Sequence, residues 1–187
     1  SNIPAAYTYF GQFIDHDITK DATTDEIKIN LFNLSDFKPL KTNLIPYKIK
    51  NLRSSMLNLD CLYSNIKHKD GILELGNNVM SPQTVPNKTN DNDLPRINKI
   101  AQIGDSRNDE NLIIAQLHVA FIKFHNTVKR KLNLSFEETK KVVKQHYHFI
   151  ILNDFLPKIC DNSVLNSIKK YGNKFYNPDK NDFFLPL

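Results

Sequence analysis

Between about Asp109 and Leu132 the sequence allows one economical reading. Apolar residues fall at 113, 114, 117, 120, 121, 124 and 128, the recurrence of a single helical face. A face of that length has to be covered by other elements, so the chain must build its core by packing helices. Asp109 and Glu110 sit at its start and Lys129, Arg130 and Lys131 at its end, as the helix dipole favours. A further helix is predicted from about Ser135 to Asn153, where Ser135 and Glu138 have the spacing of a capping box. Pro157 interrupts that pattern, and Val164 to Tyr171 suggests one more short helix.

The remaining segments are less regular. Ile3 to Thr19 opens with Pro4 and carries apolar or aromatic residues at 6, 7, 9, 10, 13 and 14, which predicts a short amphipathic helix. Residues 20–53 contain Pro39 and Pro46 and no sustained period, so they form a long connection. Ser54 to Tyr63 suggests a helical turn. Residues 64–100 form a second irregular stretch, with Asp70-Gly71 as a turn and Pro82, Pro86 and Pro95 as breakers. No run carries the alternation of a strand, and the expected class is mainly α.

Composition narrows the function classes. The 187 residues suffice for one ordinary domain, and a hydrophobic fraction of 40% argues against wholesale disorder. No stretch approaches the apolar length of a transmembrane helix, and no signal peptide is visible in residues 1–10. The net charge is +5, but the cations are mostly dispersed lysines with only Arg53, Arg96, Arg107 and Arg130 among them. Dispersed charge of this kind gives no nucleic-acid footprint. Cys61 and Cys160 are too few for a disulfide framework and too isolated for a zinc site; they could form one bridge, and two free buried thiols are the commoner outcome. The chain starts without Met and stops on the apolar run Phe183-Phe184-Leu185-Pro186-Leu187, which suggests a piece of a longer protein.

Two segments concentrate chemistry. In Gly11-Gln12-Phe13-Ile14-Asp15-His16-Asp17, Gln12 and His16 are four apart and share a helical face. A His and a Gln facing one cavity can move a proton and orient a small polar ligand. Taken alone, a solvated His between two carboxylates is the commoner meaning. In Gly104-Asp105-Ser106-Arg107-Asn108-Asp109-Glu110-Asn111, a scarce Arg stands at the mouth of the strongest helix. Taken alone, an ordinary helix start with acidic residues on the dipole and an Arg paired to them is again the commoner meaning.

Together these residues carry a resemblance. Tyr9-Phe10-Gly11-Gln12-Phe13-Ile14-Asp15-His16-Asp17 resembles the distal-histidine helix of the animal-type haem peroxidases, the myeloperoxidase and cyclooxygenase superfamily. Ile103 to Asn111 resembles that family's catalytic-arginine segment, and Leu117-His118 with Phe124-His125-Asn126 resembles the helix that follows it. Asn153-Asp154-Phe155-Leu156-Pro157 is similar to the next landmark. Arg53-Ser54-Ser55 and Leu59 to Tyr63 are similar to the intervening segment, most closely in bacterial members.

The resemblance implies a partial animal haem peroxidase fold, mainly α with long irregular connections, with residues 1–187 as a single partial domain. It implies haem b as cofactor and hydrogen peroxide with a small reducing substrate or halide as partners. His16 would be the distal general base, Arg107 the stabiliser of charge developing as the O–O bond breaks, and Gln12 a hydrogen-bonding partner for water or halide. Asp15 and Glu110 match carboxylates that some members ester-link to haem methyl groups; the linkage is left open here. Asn111 stands where one subgroup carries a Met bonded to the haem vinyl, which excludes that bond. Asp17 matches a calcium ligand, although the connection after it lacks the Thr-x-Phe-x-Asp-x-Ser loop. An extracellular setting follows from the resemblance only.

One element of the pattern is missing. His68, His118, His125, His146 and His148 all have structural explanations, and none matches the proximal iron ligand. The family carries that His just beyond a segment similar to Asn181 to Leu187, so the expectation is a distal half-pocket that is inactive alone. Two alternatives stay open: a fatty-acid dioxygenase of the same superfamily, and a non-catalytic helical remnant or binding module. A basic binder of anionic polymers is a weaker third.

Overall fold

A computed structural model describes residues 3–20, 51–76 and 92–172. Most of the predicted long connection, two of the three breaker prolines between 64 and 100, and the apolar tail lie outside the described residues. The mainly α class is what the structure has. Its helices are α1 (Ala6–Ile18), α2 (Asp60–Tyr63), α3 (Leu112–Leu132), α4 (Phe136–Ile150), α5 (Leu156–Ile159) and α6 (Asn162–Tyr171). A 3-10 turn spans Ser106–Asp109, and a π segment over Ile151–Phe155 joins α4 to α5.

The long helix starts later than its charge pattern suggested. Asn111 is the N-cap, accepting from the Ile114 N–H, and α3 has no acidic residue in its first turn. Asp109 belongs instead to the preceding 3-10 turn, where its carboxylate takes two Arg96 N–H bonds of 2.7 Å. At the far end Asn133 closes α3 in a left-handed conformation, φ 50°. The capping box of α4 is formed as expected, with Ser135 and Glu138 satisfying each other's backbone donors. Pro157 does not stop the helical path. The π segment absorbs the missing donor, and Pro157 falls at the start of α5, where a proline N–H is not required.

Two small antiparallel ribbons, His68–Lys69 with Ile72–Leu73 and Arg96–Ile97 with Ile100–Ala101, correct the expectation of no strands. Two-residue strands are too short to show alternation. The Asp70-Gly71 turn between the first pair is formed, with φ of 51° and 79°.

The core lies where α1, α3 and α4 meet. Phe13 stacks on Phe121 with centroids 4.9 Å apart and planes 4° from parallel, and Tyr147 meets both rings edge-on. Phe13 and Tyr147 are fully buried. The apolar face of α1 is buried mainly at its C-terminal end, through Phe13 and Ile14, while Tyr7 and Tyr9 in its first turn are only partly covered. That asymmetry draws the chemically rich end of α1 into the molecule.

Close backbone approach fixes the turn that carries Arg107. A Cβ on Gly104 would stand 2.3 Å from the Ser64 carbonyl oxygen and 3.2 Å from that of Cys61, so only glycine fits there. Of the two thiols, Cys61 is buried as expected, whereas Cys160 is exposed because it follows the short α5 on the surface; both are free.

Candidate functional site

The last turns of α1 and the 3-10 turn at Ser106–Asp109 are far apart in sequence and joined in space. Asp105 caps the 3-10 turn by accepting from the Arg107 N–H. Its carboxylate also takes Arg107 Nε at 3.0 Å and Nη2 at 2.8 Å, and on its other side Arg53 Nη2 at 2.7 Å. Burial opposes ionisation of Asp105, but the two guanidinium groups outweigh it and hold the carboxyl well below the usual carboxylate range. Arg53 is almost wholly buried and also donates to Ser64 Oγ at 2.8 Å, which ties the bridge to the end of α2.

Arg107 therefore projects from a fixed base. Its Nη2 reaches α1, donating to the carbonyl oxygens of His16, at 3.1 Å, and Thr19. These acceptors are the open C-terminal carbonyls of the helix, where a cation is favoured. Burial works against the Arg107 charge, and Asp105 more than restores it. Its side chain remains 28% exposed, and Nη1 takes no part in these bonds.

His16 is buried, so the solvated reading of the Asp-His-Asp cluster does not describe it. Its Nδ1 lies 2.7 Å from Asn108 Oδ1, and Asn108 Nδ2 lies 2.9 Å from Nδ1 of His118 on α3. All three side chains are buried. Burial pushes His118 down to about 4, against the pull of Asp105 and Asp109.

Asp15, next to His16, is exposed, and Glu110 is exposed on the facing turn. Gln12 is half-buried one turn before His16. The structure thus brings His16 and Arg107 together, with Gln12 and Asp15 on the same helix and Glu110 on the turn that carries Arg107.

Asp17 turns the other way. It is fully buried and accepts the backbone N–H groups of Leu59, at 3.1 Å, and Asp60, one on each carboxylate oxygen. It is a tertiary cap on α2. Burial pushes its carboxyl up, partly offset by the amides of Leu59, Asp60 and Cys61. Each carboxylate oxygen thus already accepts one backbone N–H, and the connection expected to complete a calcium site lies outside the described residues. Among the described residues no group of three or more His, Cys, Asp or Glu converges to hold a metal.

The other histidines have structural partners. His125 lies 2.9 Å from the Tyr63 hydroxyl and 3.0 Å from the Gly71 carbonyl oxygen. Asn126 beside it pairs with both backbone groups of Leu73. His148 meets the Leu57 carbonyl and His146 that of Val142, within its own helix.

Asn108 escaped the sequence reading because an Asn in a short turn carries no periodic signal. His118 gave one that could have been used. It falls on the α3 face of Ile114, Phe121, Ile122 and His125, and a polar side chain there needs a buried partner.

Comparison with known proteins adds three findings. A family model described as animal haem peroxidase matches residues 54–183. The peroxidase-like protein of Margaritifera margaritifera is 25% identical over 201 residues, covering 81% of this chain and 25% of that protein. The peroxidasin homolog pxn-2 of Caenorhabditis elegans is 33% identical over 88 residues, covering 42% of this chain and 6% of that protein. The chain spans a quarter or less of the length of these relatives. No solved structure matches it. Among the described residues no helix is long and apolar enough to cross a membrane.

Proposed function

The chain belongs to the animal haem peroxidase family, and from that premise we propose that it forms the distal side of a haem pocket. The reaction would be reduction of hydrogen peroxide coupled to oxidation of a small donor or halide. One observation carries this reading. The family match begins at residue 54 and leaves out α1, yet α1 is bound to the matched span at the arginine turn and at α2. Arg107 grips the His16 carbonyl, Asn108 meets the His16 ring, and Asp17 caps α2. These contacts fix the backbone of His16 against the side chain of Arg107 and set its ring against the neighbouring Asn108, which supports reading the two segments as one site.

The donor set suits the distal face of haem. When bound, haem supplies the iron at which peroxide is reduced. His16 Nε2 takes the proton from the near oxygen of peroxide and returns it to the leaving oxygen, the general acid–base role of an imidazole. Arg107, held charged by Asp105, presents Nη1 to the charge that develops across the O–O bond. Gln12, one turn before His16, orients water or a halide. Asp15 and Glu110 are exposed, and they would be the carboxylates available for ester bonds to haem methyl groups.

The test is peroxide-dependent oxidation of a small donor by the haem-loaded full-length protein. His16→Ala should lower the rate by about 10²- to 10⁴-fold. An unchanged rate would remove His16 from the chemistry. With a fatty acid in place of the donor no oxygenated product is expected, and finding one would favour the dioxygenase reading.

A further inference from the structure

The Asn108 side chain sits between two imidazoles, and its amide has two unlike ends. Oδ1 can only accept and Nδ2 can only donate. Oδ1 is 2.7 Å from His16 Nδ1, and Nδ2 is 2.9 Å from His118 Nδ1. One amide cannot serve two Nδ1–H groups, nor two bare Nδ1 atoms. The rings must therefore hold opposite tautomers, and the orientation of the amide decides which ring holds which.

We propose that Asn108 is a positioning residue that keeps the proton of His16 on Nδ1 and so leaves Nε2 as a bare acceptor, with His118 held as the opposite, Nε2–H tautomer. All three side chains are buried, and the amide of Asn108 supplies the Nδ1 partner of each ring. His118 Nε2 is buried without a hydrogen-bond partner, so the hydrogen bond that orients the ring is its Nδ1 contact to Asn108, beside edge-on packing against Phe13. An orphaned polar atom of this kind is tolerated where the rest of a network sets a functional geometry. A free imidazole has no such constraint and exchanges between its two tautomers.

The opposite-tautomer coupling stands on these contacts alone. Its value for peroxide chemistry rests on the reading of His16 as the distal base, which needs the lone pair on Nε2.

Ring-nitrogen NMR of the full chain, with 15N-labelled histidine at about pH 8.5, above the ordinary histidine range, tests the inference without reference to activity. The expected pattern is Nδ1–H for His16 and Nε2–H for His118. Asn108→Ala should abolish the Nδ1–H preference of His16. Like tautomers on the two rings, or the reverse pair, in the unaltered protein would overturn the proposal, as would a His16 that stays Nδ1–H in Asn108→Ala. The unaltered chain is decisive by itself if that variant does not fold. Should the ring pattern be found and His16→Ala still turn over peroxide normally, the tautomer coupling would stand and the distal-base reading would fall.

Discussion

Arg107 Nη2 lies 3.1 Å from the main-chain carbonyl oxygen of His16, so the two residues singled out for peroxide chemistry are hydrogen-bonded across 91 positions of sequence. The bond uses the backbone of one and the side chain of the other. It sets their separation without occupying the His16 ring, which Asn108 holds independently. A guanidinium can serve Asp105 through Nε and Nη2 while Nη2 also reaches α1. Arg107→Lys replaces that fork by a single ammonium, which cannot span the same acceptors. A loss of about 1–2 kcal/mol in stability is expected from urea unfolding. Faster amide exchange should appear in the last turn of α1.

Asp105 holds two arginines, and Arg53 on its far side is only 6% exposed. Removing the carboxylate strands a buried guanidinium. Asp105→Ala is expected to cost about 3–5 kcal/mol, measured by the same unfolding assay. A loss below about 1 kcal/mol would show that Arg53 finds another partner.

His118 gives the fold a pH dependence of definite sign. Its folded-state value is pushed down to about 4, below the ordinary histidine value, so the unfolded chain binds the proton first as pH falls. The contribution is fully present above about pH 6.5 and is lost as pH falls towards 4, by which point the loss reaches about 3 kcal/mol. Burial shifts His125 in the same direction and adds to the slope. Unfolding free energy followed from pH 7 to pH 4 should therefore decline, and His118→Phe should decline less steeply. Equal slopes would remove His118 as a cause.

Much of this fold was legible in the sequence because it is written in local signals. The apolar stripe of α3 and the Ser135–Glu138 box need only neighbours a turn away, and both are formed. Two acids at Asp109 and Glu110 suit a helix dipole and so point to a start of α3 at Asp109. Asn111 is the cap instead, and Asp109 pairs with Arg96, 13 residues earlier on a β-ribbon. The path past Pro157 was hidden because a π segment has no composition of its own. At the site, the residue types were legible and their connections were not. Nothing local says that Asp17 caps α2 from 42 residues away, or that Asn108 stands between two histidines. The motif pointed to His16 and Arg107, while the residues holding them depend on tertiary contacts.

The most direct test of the central claim, that His16 and Arg107 act as one distal site, is a double-mutant cycle on the bimolecular rate of peroxide reaction. Stopped-flow measurements on the haem-loaded full-length protein would compare the unaltered chain with His16→Ala, Arg107→Gln and the double variant. Each single change should slow the reaction by at least about 10²-fold, and the double variant should be little slower than the worse single one. Rates unaffected by either change, or losses that simply multiply in the double variant, would contradict the account.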